Sequence, residues 1–337
     1  MTGVREDAVQ ACKRLLGMTA LRVEQPGGRL RRSVRLLLED RNVIVTKRRH
    51  KARARLEAEV LQALSDQGAP APRLLCFDGT WLIQEDLGPT RLSQTLATMH
   101  EADAEGLLQN AISALAAAQQ AGRECRLNRQ LVVIGKSDDW IETLATIHRR
   151  IGEQLQLSAP TLPTDRLVAQ LRPQRPAFIK WDARPANAAI RADEAVAWFD
   201  WEHCGCRNPL DDVVWLLCDE YTPDLPKTEE RLIGHILPWF LNGSAQDVAH
   251  DYLMTFGALH GAMRLSLILT EKANGPWWDP LRCLDRDSVG VTLEMALRLC
   301  RRSARWAARG SLTQELGDWF EEVAERLATA PKPEAGL

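Results

Sequence analysis

The sequence predicts an α+β chain in two parts, a small, mostly antiparallel sheet over about the first 85 residues and a larger, mainly helical part beyond it. Three observations predict it. Short β-branched and leucine runs alternate with polar turns as far as Gln84. From Leu92 onward the apolar residues recur at helical spacing, with one interruption near residues 178–200. The length of 337 residues suits two domains, each able to bury its own core.

Composition narrows the function classes. Forty-three Lys and Arg stand against 45 Asp and Glu, so the formal charge of −2 excludes a wholesale polycation built for duplex DNA or an anionic membrane. Hydrophobic residues at 45% and charged residues at 26% match ordinary globular usage and exclude disordered and fibrous classes. Met1 to Asp7 has no apolar stretch behind a basic start, and no apolar run reaches the roughly 18–20 residues that cross a bilayer. The expectation is a cytoplasmic protein without a membrane partner. Eight cysteines are too sparse for a disulfide scaffold. Cys204 and Cys206 beside His203 have no second cluster to complete four zinc ligands, and they read as buried thiols.

The elements follow in order. Residues 5–16 form an opening helix, and Pro26-Gly27-Gly28 punctuates the chain after it. Ser33 to Leu38 and Val43 to Lys47 read as two strands around the polar turn Glu39–Asn42. Leu56, Val60, Leu61 and Leu64 mark a helix over 53–67, which Pro70 and Pro72 stop. Leu74–Phe77 and Trp81–Gln84 are two more strands around Asp78-Gly79. An N-terminal nucleotide-binding lobe over 1–86, a connector near 84–90, a helical lobe over 91–330 and a flexible tail over 331–337 complete the layout. In the last helix Ser311 and Gln314 have capping-box spacing, ahead of a stripe of Leu312, Leu316, Trp319, Phe320, Val323 and Leu327.

The chemistry concentrates in Lys180-Trp181-Asp182-Ala183-Arg184-Pro185-Ala186-Asn187 and in Phe199-Asp200-Trp201-Glu202. Two short apolar strands between them read as a hairpin. If its turn centres between Asp193 and Glu194, Asn187 faces Asp200 with Cβ atoms about 5 Å apart. An amide oxygen and a carboxylate so placed suit Mg²⁺, which takes one or two carboxylates with phosphate oxygens and water. Asp182, in a loop kept short by Pro185, can accept a proton from a hydroxyl attacking a phosphate. Such a site also needs a cation on the nucleotide phosphates, oriented by an acid on a neighbouring helix. Lys47 at a strand end and Glu57 on the next helix fit that pattern. Gly27-Gly28 offers backbone amides close to phosphates, with Ser33 heading the following strand.

The order of these motifs resembles the aminoglycoside phosphotransferase/choline kinase family, small-molecule kinases of the protein-kinase-like fold. The family's H-G-D-x-x-x-x-N stands here as Lys180 to Asn187, its I-D-W-E as Phe199 to Glu202, and its G-x-x-D-P-x-x-D as Gly205 to Asp212. Ala69-Pro70-Ala71-Pro72 matches its P-x-P, and Trp81 to Gly88 its hinge, over a resemblance that spans about residues 20–330. The resemblance implies Asp182 as catalytic base and Asn187 and Asp200 as metal ligands. It implies Lys47 on the nucleotide phosphates, Glu57 orienting it, Glu85 and Leu87 at the adenine, and Asp212 bracing the catalytic loop. It further suggests Arg184 as a steadying contact for the transferring phosphate.

Two departures bear on activity. Lys180 replaces the usual His and brings positive charge toward Asp182, and Trp181 replaces a Gly on the acceptor side. Residues 28–55 hold eleven Lys and Arg against Glu39 and Asp40. No aromatic interleaves with them, so a field drawing ATP into the cleft or a solvated face is favoured over nucleic acid, and an anionic acceptor is a third option. Trp277 and Trp278, with Asp279, Asp285 and Asp287, suit a cationic or polyhydroxyl acceptor, while Trp215 reads as core. The leading expectation is transfer of the γ-phosphate of ATP, or of GTP, to a hydroxyl of a sugar, amino sugar or amino alcohol with Mg²⁺. The alternative is a kinase-fold nucleotide-binding regulatory module with little or no transfer, its basic face on a polyanion.

Overall fold

The computed structural model describes residues 3–25, 32–286 and 288–329. The chain opens with helix α1 (Gly3–Leu16) and the short strand β1 (Arg22–Glu24), then β2 (Ser33–Leu37), β3 (Asn42–Lys47), helix α2 (Lys51–Asp66), β4 (Leu74–Phe77) and β5 (Trp81–Glu85). These strands form one antiparallel sheet in the order β1-β2-β3-β5-β4. β1 escaped sequence reading because three residues carry too little alternation to register.

Strand alternation sorts β3 into two faces. Val43 and Val45 are buried beneath α1 with Ala8, Ala11, Cys12, Val34 and Ile83. Ile44 and Thr46 turn the other way and line a cavity. α2 joins the sheet to the rest of the molecule, since its Val60, Leu61 and Leu64 enter the main core.

Beyond Glu85 the chain is mainly helical. α3 (Leu92–Thr98) and the long α4 (Glu101–Glu124) precede α5 (Leu127–Gln130), α6 (Asp138–Ala145), α7 (Ile147–Leu155) and α8 (Thr164–Leu171). Four short strands follow: β6 (Ala177–Ile179), β7 (Ala188–Ile190), β8 (Val196–Trp198) and β9 (Gly205–Arg207). β6 pairs with β9, and β7 with β8. The chain closes with α9 (Leu210–Leu217), α10 (Pro226–Ile236), α11 (Gln246–Lys272), α12 (Pro280–Asp285), α13 (Leu293–Ala307) and α14 (Leu316–Thr329). α11 is long and apolar enough to cross a membrane by composition, but its apolar length is spent inside the core against α13, α7 and α9. The stripe expected in the last helix is buried as read. Its capping box is not formed: the Ser311 hydroxyl donates to Asp251 on α11, and the helix begins only at Leu316.

Candidate active site

The sheet, the β5–α3 connector and the β6–β9 region enclose a cavity of about 540 Å³. Asp182, Asn187 and Asp200 all line it. The loop that carries Asp182 is held in an unusual backbone form, with φ of 54° at Trp181 and 50° at Asp182. Left-handed conformations cost a side-chain-bearing residue free energy, so the surroundings must impose them. Asp212 does so from α9: its carboxylate accepts the backbone N–H groups of Lys180 (2.9 Å) and Trp181 (2.8 Å) and an amide hydrogen of Gln119 (2.9 Å). Burial pushes the Asp212 carboxyl up to about 6, against these hydrogen bonds. Asp212 is therefore the loop brace that its position implied.

Lys180 is fully buried, and burial pulls its pKa down against the charges of Asp182, Asp200 and Asp212. Its ammonium donates to the backbone carbonyls of Asp182 and Asp200, both at 3.2 Å. It ties the two loops together through their main chains and leaves the Asp182 carboxylate for Asn187, whose Nδ2 donates to it at 2.9 Å. Trp181 pays its backbone strain back in packing, with ring centroids 5.9 Å from Trp140 and 5.3 Å from Trp215.

The hairpin register differs by one residue from the expected one. Ala188 pairs with Trp198, Ala189 with Ala197 and Ile190 with Val196, so Asn187 faces Phe199. The turn takes three residues because Arg191 N–H and the Ala195 carbonyl close it through Glu194 at a φ of 65°. A one-residue slip would send an extended Asp200 to the wrong face. Its φ of 62° turns the backbone instead, and Asp200 reaches the cavity with Asn187.

One cation organises the opposite wall. Arg48, just past β3, grips Glu57 with two 2.7 Å hydrogen bonds and reaches Asp200 at 2.7 Å and Glu202 at 2.9 Å. Burial disfavours its charge, but Asp200 and Glu57 more than compensate and raise its pKa. Burial likewise opposes charge on Asp200, and Arg48 and Lys180 hold its carboxyl below the ordinary range. At the far end Leu87 packs with Ala189, Ala197 and Phe199 as a small apolar floor.

No curated protein matches the chain. The model of the phosphotransferase enzyme family matches residues 23–236, more than half of the chain. The chain belongs to the phosphotransferase enzyme family. Its fold is that of solved members. An aminoglycoside phosphotransferase from Alicyclobacillus acidocaldarius subsp. acidocaldarius DSM 446 is 12% identical, with 94% of this chain and 96% of that one covered and a TM-score of 0.53. A choline/ethanolamine kinase family protein from Mesorhizobium loti is 18% identical over 96% and 99% of the two chains, TM-score 0.50. The ADP-bound aminoglycoside phosphotransferase APH(2'')-Ib is 14% identical over 88% and 99%, TM-score 0.52.

Within this phosphotransferase the structure redistributes several expected contacts. Lys47 does not meet Glu57. Alternation along β3 turns its ammonium toward α1, 3.5 Å from Asp7 and 5.1 Å from the Trp81 ring, although Lys47 still borders the cavity. Arg48, one residue on, takes the place beside Glu57. Arg184 is not free for a phosphate either. Its guanidinium binds Asp219 at 2.7 Å and Glu220 at 3.3 Å, two fully buried acids shared with Arg264. Ser33 lines the cavity and accepts the Thr46 hydroxyl at 2.9 Å. Glu85 also lines it and is held by Arg191 at 2.5 Å. Gly27, Gly28 and Asp287 lie outside the described residues.

The tryptophan loop is largely structural. Trp277 packs on the core under Lys272, and Asp279 caps α12 by accepting Arg282 N–H at 2.8 Å. Trp215 is core, as read. The sequence did carry a signal for Arg48: counting alternate residues from Ile44 reaches Thr46 and then Arg48.

The donor set suits a hard divalent cation. Asn187 spends its Nδ2 on Asp182, which directs its amide oxygen elsewhere, and Asp200 is held ionised with only Oδ1 in the Arg48 contact.

Proposed function

We propose that this phosphotransferase moves the γ-phosphate of ATP to a hydroxyl of a small molecule with Mg²⁺. One observation carries the reading: Asp182, Asn187 and Asp200 converge on the same cavity that takes in Arg48 and the connector Glu85–Leu87. The apolar floor of Leu87 and Phe199 near the connector would receive the adenine. The phosphates run toward Arg48, whose fork suits phosphate oxygens. Asn187 and Asp200 would hold Mg²⁺, which when bound neutralises charge on the phosphates.

The acceptor oxygen attacks the γ-phosphorus as the bond to the β–γ bridging oxygen breaks, and the attacking proton passes to the Asp182 carboxylate. The products are the phosphate ester and ADP. The hydrogen bond from Asn187 orients the carboxylate for this task. The bound ADP of one structural relative agrees with nucleotide use. Of the three features behind the non-catalytic alternative, Lys180 weighs less than expected, because its ammonium donates to main-chain carbonyls and not to the Asp182 carboxylate.

The test is Asp182→Asn. Turnover should fall by roughly 10²–10⁴-fold with MgATP affinity retained. Wild-type turnover by this variant would remove Asp182 as the base.

A further inference from the structure

The charges around the cavity are not balanced, and the imbalance points to the acceptor. Five acids line the cavity: Glu85, Asp86, Asp182, Asp200 and Glu202. Four of them are ion-paired with three arginines, Arg48 being shared between Asp200, Glu202 and the buried Glu57. Glu85 pairs with Arg191 at 2.5 Å, Asp86 with Arg35 at 2.7 Å, and Asp200 and Glu202 with Arg48 at 2.7 and 2.9 Å. The nearby buried acids Asp219 and Glu220 are matched by Arg184 and Arg264. Asp182 alone keeps a carboxylate outside any ion pair among the described residues, and it is the base.

The cations are different. Arg49 and Arg53 line the same cavity, are exposed, and form no ion pair among the described residues. They follow β3 at the end away from the connector. In the sheet Ile44 pairs with Gln84 beside the connector, whereas Lys47 pairs with Trp81 at the other end. Arg48, between Lys47 and Arg49 in sequence, contacts Asp200 and Glu202, so Arg49 and Arg53 belong to the end of the cavity that holds these acids and not to the connector end.

We infer that the acceptor is a hydroxyl compound carrying an anionic group, a phosphate or a carboxylate, and that Arg49 and Arg53 receive that group. A cationic amino sugar or amino alcohol would meet the unpaired Arg49 and Arg53 and, among the described acids that line the cavity, would find only Asp182 outside an ion pair. This inference rests on the kinase reading, and the experiment separates the two.

Nucleotide binding is measured first by calorimetry, with MgADP on the wild-type chain. With MgADP saturating, ribose 5-phosphate, glucose 6-phosphate and gluconate are then titrated against ribose, glucose and glucosamine. The expected result is at least roughly tenfold tighter binding in an anionic arm than for its neutral parent, weakening as salt rises. The phosphate and carboxylate arms tell which anion is preferred. Arg49→Glu/Arg53→Glu, at two exposed positions, should abolish that preference and leave MgADP affinity within about twofold. Absence of MgADP binding to the wild type would sink the kinase reading and this inference together. MgADP binding with no anionic preference, with glucosamine bound best, or with the double variant losing MgADP instead, would overturn this inference alone.

Discussion

Exchanging Arg48 for methionine tests the electrostatic centre of the cleft directly. The substitution keeps most of the stem and removes four hydrogen bonds: two to Glu57 at 2.7 Å, one to Asp200 at 2.7 Å and one to Glu202 at 2.9 Å. Asp200 and Glu202 have side chains 31% and 22% exposed and can recover water. Glu57 is 0% exposed and would keep only the Trp201 backbone N–H at 3.2 Å. An orphaned buried charge of this kind costs about 3–5 kcal/mol. Lys47→Met is the control, because its partner Asp7 lies at 3.5 Å on the surface and such a pair contributes about 0–1 kcal/mol.

Urea unfolding followed by tryptophan fluorescence reads both losses. Arg48→Met/Glu57→Gln should recover much of the first, since it removes the stranded charge along with its partner. MgATP titration should show binding weakened by roughly tenfold or more in Arg48→Met and little changed in Lys47→Met. The reasoning fails if Lys47→Met costs as much as Arg48→Met, or if Arg48→Met costs less than about 1 kcal/mol.

Two further outcomes follow from packing and burial. A Cβ at Gly122 on α4 would sit 2.1 Å from the Phe178 ring, which stacks on Trp201 with ring centroids 5.9 Å apart. Gly122→Ala should therefore cost about 1–3 kcal/mol in urea unfolding, and an unchanged midpoint would show that the ring gives way freely. His260 is fully buried, and burial, with Arg264 and Arg184, pushes its pKa down to about 3. Unfolded, it titrates near pH 6.5, so below that pH the unfolded chain takes up a proton that the folded chain refuses. Its contribution is whole above pH 6.5 and is lost toward pH 3, by about 1.4 kcal/mol per pH unit. His260→Phe should flatten the acid limb of stability against pH, and an identical slope in the variant would assign that limb to other groups.

Sequence alone was enough for the fold class and the family, and it marked the segments that meet in the cavity. Binary patterning is local, so the β2–β3 hairpin, α2 and the β4–β5 pair appeared within a residue or two of their observed ends. That Asp182, Asn187 and Asp200 share one cavity was legible because the loop and the hairpin that carry them keep short, definite spacings. Asp212 was legible for the same reason, and its three hydrogen bonds follow from burial beside the loop it braces.

Tertiary structure decided the rest. Whether Lys47 or Arg48 meets Glu57 depends on which face of β3 is covered by α1, and α1 is nearly thirty residues away in sequence. The hairpin register turned on Glu194 and Asp200 adopting positive φ, which no propensity favours for either residue strongly enough to foresee. Arg184 still borders the cavity but is pinned by Asp219 and Glu220, more than thirty positions on, because two carboxylates with no access to water must be matched by cations wherever the fold can bring them. Local pattern names the elements, but charge pairing in a low-dielectric interior is settled only when distant segments meet.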